Sequence, residues 1–310
     1  MKLKKPYFWD DKELNLISIL FFPLTIFLFL INLFTFKNNN KIEKIKSICV
    51  GNIYIGGTGK TPFSIELNNI LKTLNYKTAI IKKFYKNQKD EQNLISNKAK
   101  LYCENKRIDS IKKAIKDKKE IIIFDDGLQQ KNLNYNISFV CFNTENWIGN
   151  GFLLPAGPLR ENLKSLKNYS AVVLNGNGES TKKIRNQIKK YNRKIKIFET
   201  KYNPINIKKI KNSKGYLIFS GIGNPATFKK TLMQNKIKIV KSMVFPDHYQ
   251  YTNNDIKKIK KLAKDLKTNI LTTEKDFMRI KNNKQGIDYL KVNLLIKEKK
   301  NLINFLKKNI

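Results

Sequence analysis

Cysteine and histidine are nearly absent from the chain. Its 310 residues include three cysteines, Cys49, Cys103 and Cys141, and one histidine, His248. No two cysteines form a Cys-x-x-Cys pair, which excludes a disulfide scaffold and a conventional His/Cys structural zinc site and makes a reducing compartment the expectation. Arginine is also scarce: only Arg107, Arg160, Arg185, Arg193 and Arg279 among 62 basic residues. Acidic residues number 24, so the net charge is +38. The excess is lysine, accompanied by abundant asparagine and isoleucine, a composition that AT-rich codons produce. Phosphate and base readers favour the bidentate arginine fork. With no arginine cluster present, nucleic acid is not expected as a partner. A 41% hydrophobic content excludes a disordered polyelectrolyte. The length suits one large domain or two ordinary ones with a substantial core.

Long uncharged runs are lacking except at residues 14–36, LNLISILFFPLTIFLFLINLFTF. At 1.5 Å per residue this run can span a hydrocarbon core of ~30 Å. Asp10, Asp11, Lys12 and Glu13 precede it, and Lys37, Lys41, Lys44 and Lys46 follow. No small-residue cleavage site follows, so it does not read as a signal peptide. Residues 1–40 are therefore expected to be a membrane anchor, spanning the bilayer or lying in its interface, with the lysines keeping the remainder cytoplasmic. Pro23, Asn15 and Asn32 interrupt the run, and a buried core helix is the alternative.

Beyond the anchor, short apolar strands alternate with helical patterns. Strands are expected at Ile45–Val50, Lys77–Ile81, Ile121–Phe124, Ser138–Phe142 and Ala171–Leu174, then at Tyr216–Ser220, Ile239–Phe245, Asn269–Thr272 and Val292–Ile296. Helical periods occupy 63–74, 111–116, a segment from Thr227, and Asn253–Leu266. This pattern predicts an α/β fold with a mostly parallel sheet covered by helices on both faces. A polar stretch near 176–205 suggests a core of 41–190 and a smaller C-terminal α/β domain of 191–310.

Four segments carry chemistry. Gly56, Gly57, Thr58, Gly59, Lys60 and Thr61 form a glycine loop between an apolar strand and a helix. Its successive amides and the helix N-terminus make an anion cradle, in which Lys60 reaches terminal phosphates and Thr61 can ligate magnesium. Tyr54 stands where the generic phosphate-loop pattern has its first glycine, so the match is Gly-Lys-Thr with an altered start. Asp125 and Asp126 end an apolar strand, where a carboxylate holds Mg²⁺ in phosphate-loop proteins; a solvated turn is the plainer reading. His248, in FPDHY, is the one side chain whose ordinary pKa lies near neutrality. Residues 149–161, GNGFLLPAGPLRE, form a glycine- and proline-rich apolar loop with Arg160 placed to meet a phosphate, or else an ordinary structured loop.

Taken together and in this order, the segments resemble the tetraacyldisaccharide 4'-kinases of lipid A biosynthesis. The matching stretches are VGNIYIGGTGKTP (50–62), DDGLQQ (125–130), LLPAGPLRE (153–161), FSGIGNPATF (219–228), FPDHYQY (245–251) and TTEKD (272–276). The resemblance implies a P-loop NTPase-like core. It also implies ATP- and Mg²⁺-dependent phosphorylation of the 4'-hydroxyl of a lipid-bearing disaccharide 1-phosphate, at the cytoplasmic face of the inner membrane of a Gram-negative bacterium. By the same resemblance Gly56–Thr61 hold ATP, and Thr61 and Asp125 hold the metal. Asp126, Glu91, Arg107 and Arg160 then contact substrate or phosphate, and Asp90 acts as base with His248 and Lys60 as catalytic partners. The chain departs from the family's usual pattern at KKFYK (82–86), where S-R-G-Y-G is usual, at Gln130, where histidine is usual, and at Tyr249, where a second histidine often stands. Two other classes remain open on sequence: a membrane-tethered NTPase switch without a lipid acceptor, and a basic membrane-surface or nucleic-acid-binding protein with a vestigial nucleotide fold.

Overall fold

The structure is a computed structural model of the chain and describes residues 6–11, 15–34, 40–41, 44–86, 88–130, 133–210 and 214–310. Leu14, Thr35 and Phe36 of the uncharged run, and the flanking Lys12, Glu13 and Lys37, lie outside the described residues. The elements in chain order begin with α1 (Leu16–Phe34), β1 (Asn40–Lys41), β2 (Lys46–Gly51), α2 (Lys60–Thr73), β3 (Thr78–Lys83), α3 (Lys89–Ser96), β4 (Leu101–Glu104) and α4 (Arg107–Lys116). There follow β5 (Ile121–Asp125), β6 (Leu133–Asn134), β7 (Ile137–Asn143), β8 (Ala171–Asn175), α5 (Lys182–Tyr191), β9 (Lys196–Pro204) and α6 (Ile207–Ile210). The remainder comprises β10 (Tyr216–Ser220), α7 (Pro225–Gln234), β11 (Ile239–Val244), α8 (Asn253–Asp265), β12 (Asn269–Thr273), α9 (Glu274–Arg279), β13 (Ile287–Leu290), β14 (Val292–Ile296) and α10 (Lys299–Asn309).

The chain divides into two compact units. The first takes the described residues within Lys5–Tyr85, Ile95–Lys201 and Ile296–Ile310; the second takes those within Lys86–Leu94 and Tyr202–Leu295. The expected boundary at 190/191 falls inside the first of these units. The polar stretch around it contains α5, which buries Ile188, and β9, which pairs with β8. The chain also visits the second unit early, at 86–94, and returns to the first at its end.

The first unit is built on a sheet whose strands run in the order β9-β8-β7-β2-β5-β3-β4. The pairings from β4 through β9 are parallel. Its central strands are apolar throughout because both faces are covered. Ile48, Cys49, Val50, Ile122, Ile123 and Phe124 have no exposed surface. Isoleucine at alternate faces meets α4 through Ile111 and Ala114, and α2 buries Phe63, Leu67, Ile70 and Leu71. Each such large side chain contributes about 1.5–3 kcal/mol of burial. The second unit has a four-stranded parallel sheet, β11-β10-β12-β13. Strand alternation splits β10: Leu217 and Phe219 pack on Ile256, Ile259 and Ala263 of α8, while Tyr216 and Ile218 pack with Phe228 and Leu232 of α7.

Helix α1 has its polar edge inward. Ser18 and Thr25 are buried. Thr25 Oγ1 accepts from Ala156 N at 3.1 Å and donates to Phe21 O at 3.2 Å, and Asn150 Nδ2 donates to Ser18 Oγ at 3.1 Å. Leucines and phenylalanines face outward; Leu16 is 83% exposed, Leu20 77% and Phe27 59%. Among the described residues no helix is long and apolar enough to cross a membrane.

Candidate active site

In the first unit, the glycine loop leaves β2 and enters α2, as the sequence predicts. Gly59 caps the helix at φ 85°, a left-handed conformation, with no side chain satisfying the first-turn amides. A Cβ at Gly59 would stand 2.3 Å from Asn175 Nδ2, so only glycine fits. Thr58 Oγ1 and Asn175 Nδ2 are buried with no hydrogen-bond partner among the described residues. Unsatisfied donors beside uncapped helix amides suit an anionic ligand such as the phosphates of ATP.

The loop is strapped by the apolar segment singled out in the sequence. Ile55 N donates to Pro158 O at 2.9 Å and Arg160 N donates to Ile53 O at 2.7 Å. This holds Arg160 against the acidic pair. Arg160 Nη1 lies 3.4 Å from Asp126 Oδ1 and donates to Gln129 Oε1 at 3.1 Å. Lys60 Nζ shares Asp126 Oδ1 at 3.3 Å and donates to Asn52 Oδ1 at 3.0 Å. Arg107, the first residue of α4, donates Nη1 to Gln130 Oε1 at 2.6 Å and Nη2 to the Asp126 carbonyl. The non-histidine Gln130 is thus the partner of Arg107. Burial pushes the Asp126 carboxyl up, but the charges of Lys60, Arg160 and Lys82 outweigh it and hold the group below its ordinary range. Asp126 also adopts φ 66°, in the left-handed region that aspartate tolerates better than most residues.

Asp125 is fully buried at the end of β5. Its Oδ2 accepts from Thr61 Oγ1 at 3.0 Å and from Lys82 Nζ at 2.8 Å, while Oδ1 accepts from Ser64 Oγ at 3.3 Å. Among the described residues no cluster of three or more His, Cys, Asp or Glu side chains is placed to hold a metal by itself. A hydroxyl and one carboxylate are the hard oxygen donors that magnesium takes from a protein when phosphate oxygens and water complete its octahedron. The donor chemistry of Thr61 and Asp125 therefore fits Mg²⁺. The sequence pattern gives no sign of Lys82: the apolar run ends at Ile81, whereas β3 continues through a buried Lys82.

The second unit assembles the other candidates. Asp90 lies in the first turn of α3, and His248 lies in the turn after β11 at φ 56°. That turn is fixed to the end of β10: Phe245 N donates to Ser220 O at 2.8 Å and His248 N to Gly221 O at 3.1 Å. His248 Nδ1 is then 3.2 Å from Asp90 Oδ1. The opposite oxygen, Oδ2, accepts from Arg279 Nε at 3.1 Å and Nη2 at 2.6 Å. Arg279 also reaches Asp276 Oδ1 at 2.9 Å and the Gly221 carbonyl. Burial raises the Asp90 pKa, but the hydrogen bond from His248 and the charge and hydrogen bonds of Arg279 prevail and hold it well below the carboxylate range. Asp90 is therefore ionised at neutral pH, and His248 presents Nδ1–H to it.

The TTEKD segment explains itself locally. Thr273 caps α9 by accepting from Asp276 N at 3.1 Å, and Asp276 sits one turn before Arg279 on the same face. Asp276 Oδ1 additionally accepts from Gly221 N and Tyr251 Oη, both at 2.9 Å. Lys275 pairs with Glu91 at 2.9 Å. The structure thus groups Asp90, Glu91 and His248 in one unit, and Lys60, Thr61, Asp125, Asp126, Arg107 and Arg160 in the other. Arg279 had no assigned role in the sequence reading; its spacing after Asp276 was the available signal.

Comparison with known proteins agrees with this geometry. The family model LpxK, tetraacyldisaccharide-1-P 4'-kinase, matches residues 24–310. The chain belongs to the tetraacyldisaccharide-1-P 4'-kinase family. A tetraacyldisaccharide 4'-kinase of Pelagibacter ubique is 50% identical over 305 residues, covering 98% of this chain and 97% of that one. One from Rickettsia bellii is 34% identical, covering 96% and 95%. The crystal structure of an "apo" form of LpxK from Aquifex aeolicus in complex with ATP superposes with a TM-score of 0.66 at 22% identity, over 94% of this chain and 96% of that one. This last likeness establishes the LpxK fold for the chain: a mostly parallel α/β sheet with flanking helices.

Proposed function

We propose that the chain is an ATP-dependent lipid kinase that phosphorylates the 4'-hydroxyl of a tetraacyldisaccharide 1-phosphate. The observation that carries the reading is the uncapped glycine cradle beside Thr61 and Asp125, in a chain that matches this kinase family over residues 24–310. The Gly56–Thr61 amides and Lys60 bind and orient the terminal phosphates. Asp126 holds Lys60 in place before the nucleotide arrives, and Arg160 and Arg107 supply further positive charge at the same strand end. Thr61 and Asp125 are the residues that would hold magnesium, which when bound neutralises phosphate charge.

Phosphoryl transfer through a loose transition state needs positioning and charge stabilisation more than a strong base. Asp90 suits that demand. It is ionised, its carboxylate orients the sugar hydroxyl, and it accepts the hydroxyl proton as the new P–O bond forms and the γ-phosphorus bond to the bridging oxygen breaks, releasing ADP. His248 fixes Oδ1 of Asp90, and Arg279 fixes Oδ2. Glu91 and Arg160 are assigned to substrate contacts.

The lipid acceptor fits the outward apolar face of α1. A helix that buries Ser18 and Thr25 while exposing Leu16, Leu20 and Phe27 lies in a bilayer interface rather than in water. The enzyme then meets its acylated substrate at the inner membrane's cytoplasmic face, where effective concentration is raised, and the lysine-rich surface is drawn to anionic lipid.

The test is an acceptor assay in mixed micelles with ATP, Mg²⁺ and the tetraacyldisaccharide 1-phosphate, reading lipid mass. The expected result is a gain of one phosphate, lost with Lys60→Ala. ATP hydrolysis with unchanged lipid mass would overturn the reading in favour of an NTPase switch.

A further inference from the structure

Lys82 occupies an unusual place for a lysine. Its side chain is 4% exposed, its Nζ lies 2.8 Å from Asp125 Oδ2, and Asp125 has no exposed side-chain surface. The pairing is built into the sheet. Lys82 and Asp125 are in-register neighbours on β3 and β5, at the carboxyl ends of adjacent parallel strands. Asp125 Oδ2 also accepts from Thr61 Oγ1, and Oδ1 accepts from Ser64 Oγ. Both carboxylate oxygens are therefore engaged, and the charge is neutralised by a cation belonging to the protein.

A carboxylate that gathers a divalent ion ordinarily does so because its charge is uncompensated. Here compensation is already present, and an ion approaching Oδ2 would meet an ammonium at contact distance. Two carboxylates at this strand end thus face three cations, Lys60, Lys82 and Arg160. Such a cluster repels free metal ions and attracts phosphate.

We propose that Lys82 is a resident cation at the magnesium carboxylate: it keeps the free protein from taking up divalent metal and makes nucleotide binding only weakly dependent on metal. Lys82 is a positioning residue, acting through Asp125. The inference rests on the reading of Gly56–Thr61 as the ATP cradle and of Asp125 as the metal carboxylate.

The experiment uses the full chain in detergent micelles. Mn²⁺ uptake is followed by electron paramagnetic resonance without nucleotide. The affinity for a non-hydrolysable ATP analogue is measured with Mg²⁺ and with chelator. Wild type should take up no Mn²⁺ and show a metal-to-nucleotide coupling of less than about tenfold. Lys82→Ser should bind Mn²⁺ without nucleotide and raise the coupling by about tenfold or more, and Lys82→Arg should restore wild-type behaviour. Mn²⁺ uptake by wild type that Asp125→Asn abolishes would overturn the proposal, even if Lys82→Ser fails to fold. A folded Lys82→Ser with unchanged coupling would also overturn it. If Asp125→Asn alters neither measurement in any background, the metal-carboxylate reading itself fails, a distinguishable result.

Discussion

Replacing Arg279 with methionine tests the second unit's buried charge network most directly. The arginine side chain is 1% exposed and stands between Asp90, 2% exposed, and Asp276, fully buried. Methionine keeps much of the volume but removes the only cation in direct ion-pair contact with Asp276 among the described residues. It leaves Asp90 with His248 alone. Breaking a buried ion pair from one side costs about 3–5 kcal/mol. Here two buried carboxylates lose the same arginine, so the upper part of that range is expected in urea unfolding of the full chain at pH 7. The pH dependence follows from the direction of the Asp90 shift. Its folded pKa is depressed, so its stabilisation is present above the unfolded value near 3.9 and disappears as pH falls through the folded value. Without Arg279 the depression shrinks, and the acid limb of kcat/KM should move upward by roughly one to two pH units. Equal stability at pH 7 together with an unmoved acid limb would refute the claim that Arg279 holds Asp90 ionised.

His248→Gln, which keeps a hydrogen-bond donor but removes the imidazole, should lower kcat by about 10²-fold with little change in the Km for ATP, as steady-state kinetics would reveal. Gly59→Ala places a Cβ 2.3 Å from Asn175 Nδ2 at φ 85°; equilibrium binding should show loss of ATP affinity, with about 1–3 kcal/mol of backbone strain seen in unfolding. The paired change Leu16→Glu and Leu20→Glu on the exposed face of α1 should weaken vesicle co-sedimentation by at least about tenfold. Activity toward a short-chain soluble acceptor should remain.

The parallel strands were legible because burial on both faces demands unbroken apolar runs, and IIIF, AVVL and YLIFS supply them. The glycine loop was legible because its signal is local: glycine for the turn, lysine and threonine at fixed offsets. Helix α3 was not foreseen. Its sequence, KDEQNLIS, is polar over its first turn and a half, with Leu94 and Ile95 its buried apolar residues. Helix α5 went unseen for a similar reason, since KKIRNQIKKY reads as a polar linker until Ile188 is seen buried. Lys82 was hidden because a lysine after TAII looks like the end of a strand; only the register of β3 on β5 shows that it faces Asp125. The meeting of Asp90 with Arg279 is a contact across 189 residues of sequence, and no local pattern encodes it.

Composition nevertheless carried information that the site makes readable. Lysine fills most basic positions, and two of the rare arginines stand where one nitrogen would not serve. Arg107 uses two, Nη1 to Gln130 and Nη2 to the Asp126 carbonyl. Arg279 uses three, Nε and Nη2 to Asp90 and Nη1 to Asp276 and Gly221. A lysine at 279 would retain the charge but, as a single ammonium, could not reproduce the fork that fixes Asp90 Oδ2 while also holding Asp276. Arg279→Lys should therefore recover most of the stability that Arg279→Met loses, because the buried carboxylates keep a counter-charge. It should recover less of the turnover, because Asp90 is neutralised without being oriented. If lysine restored turnover and stability to the same degree, charge alone would account for Arg279, and its role in orienting Asp90 would fall.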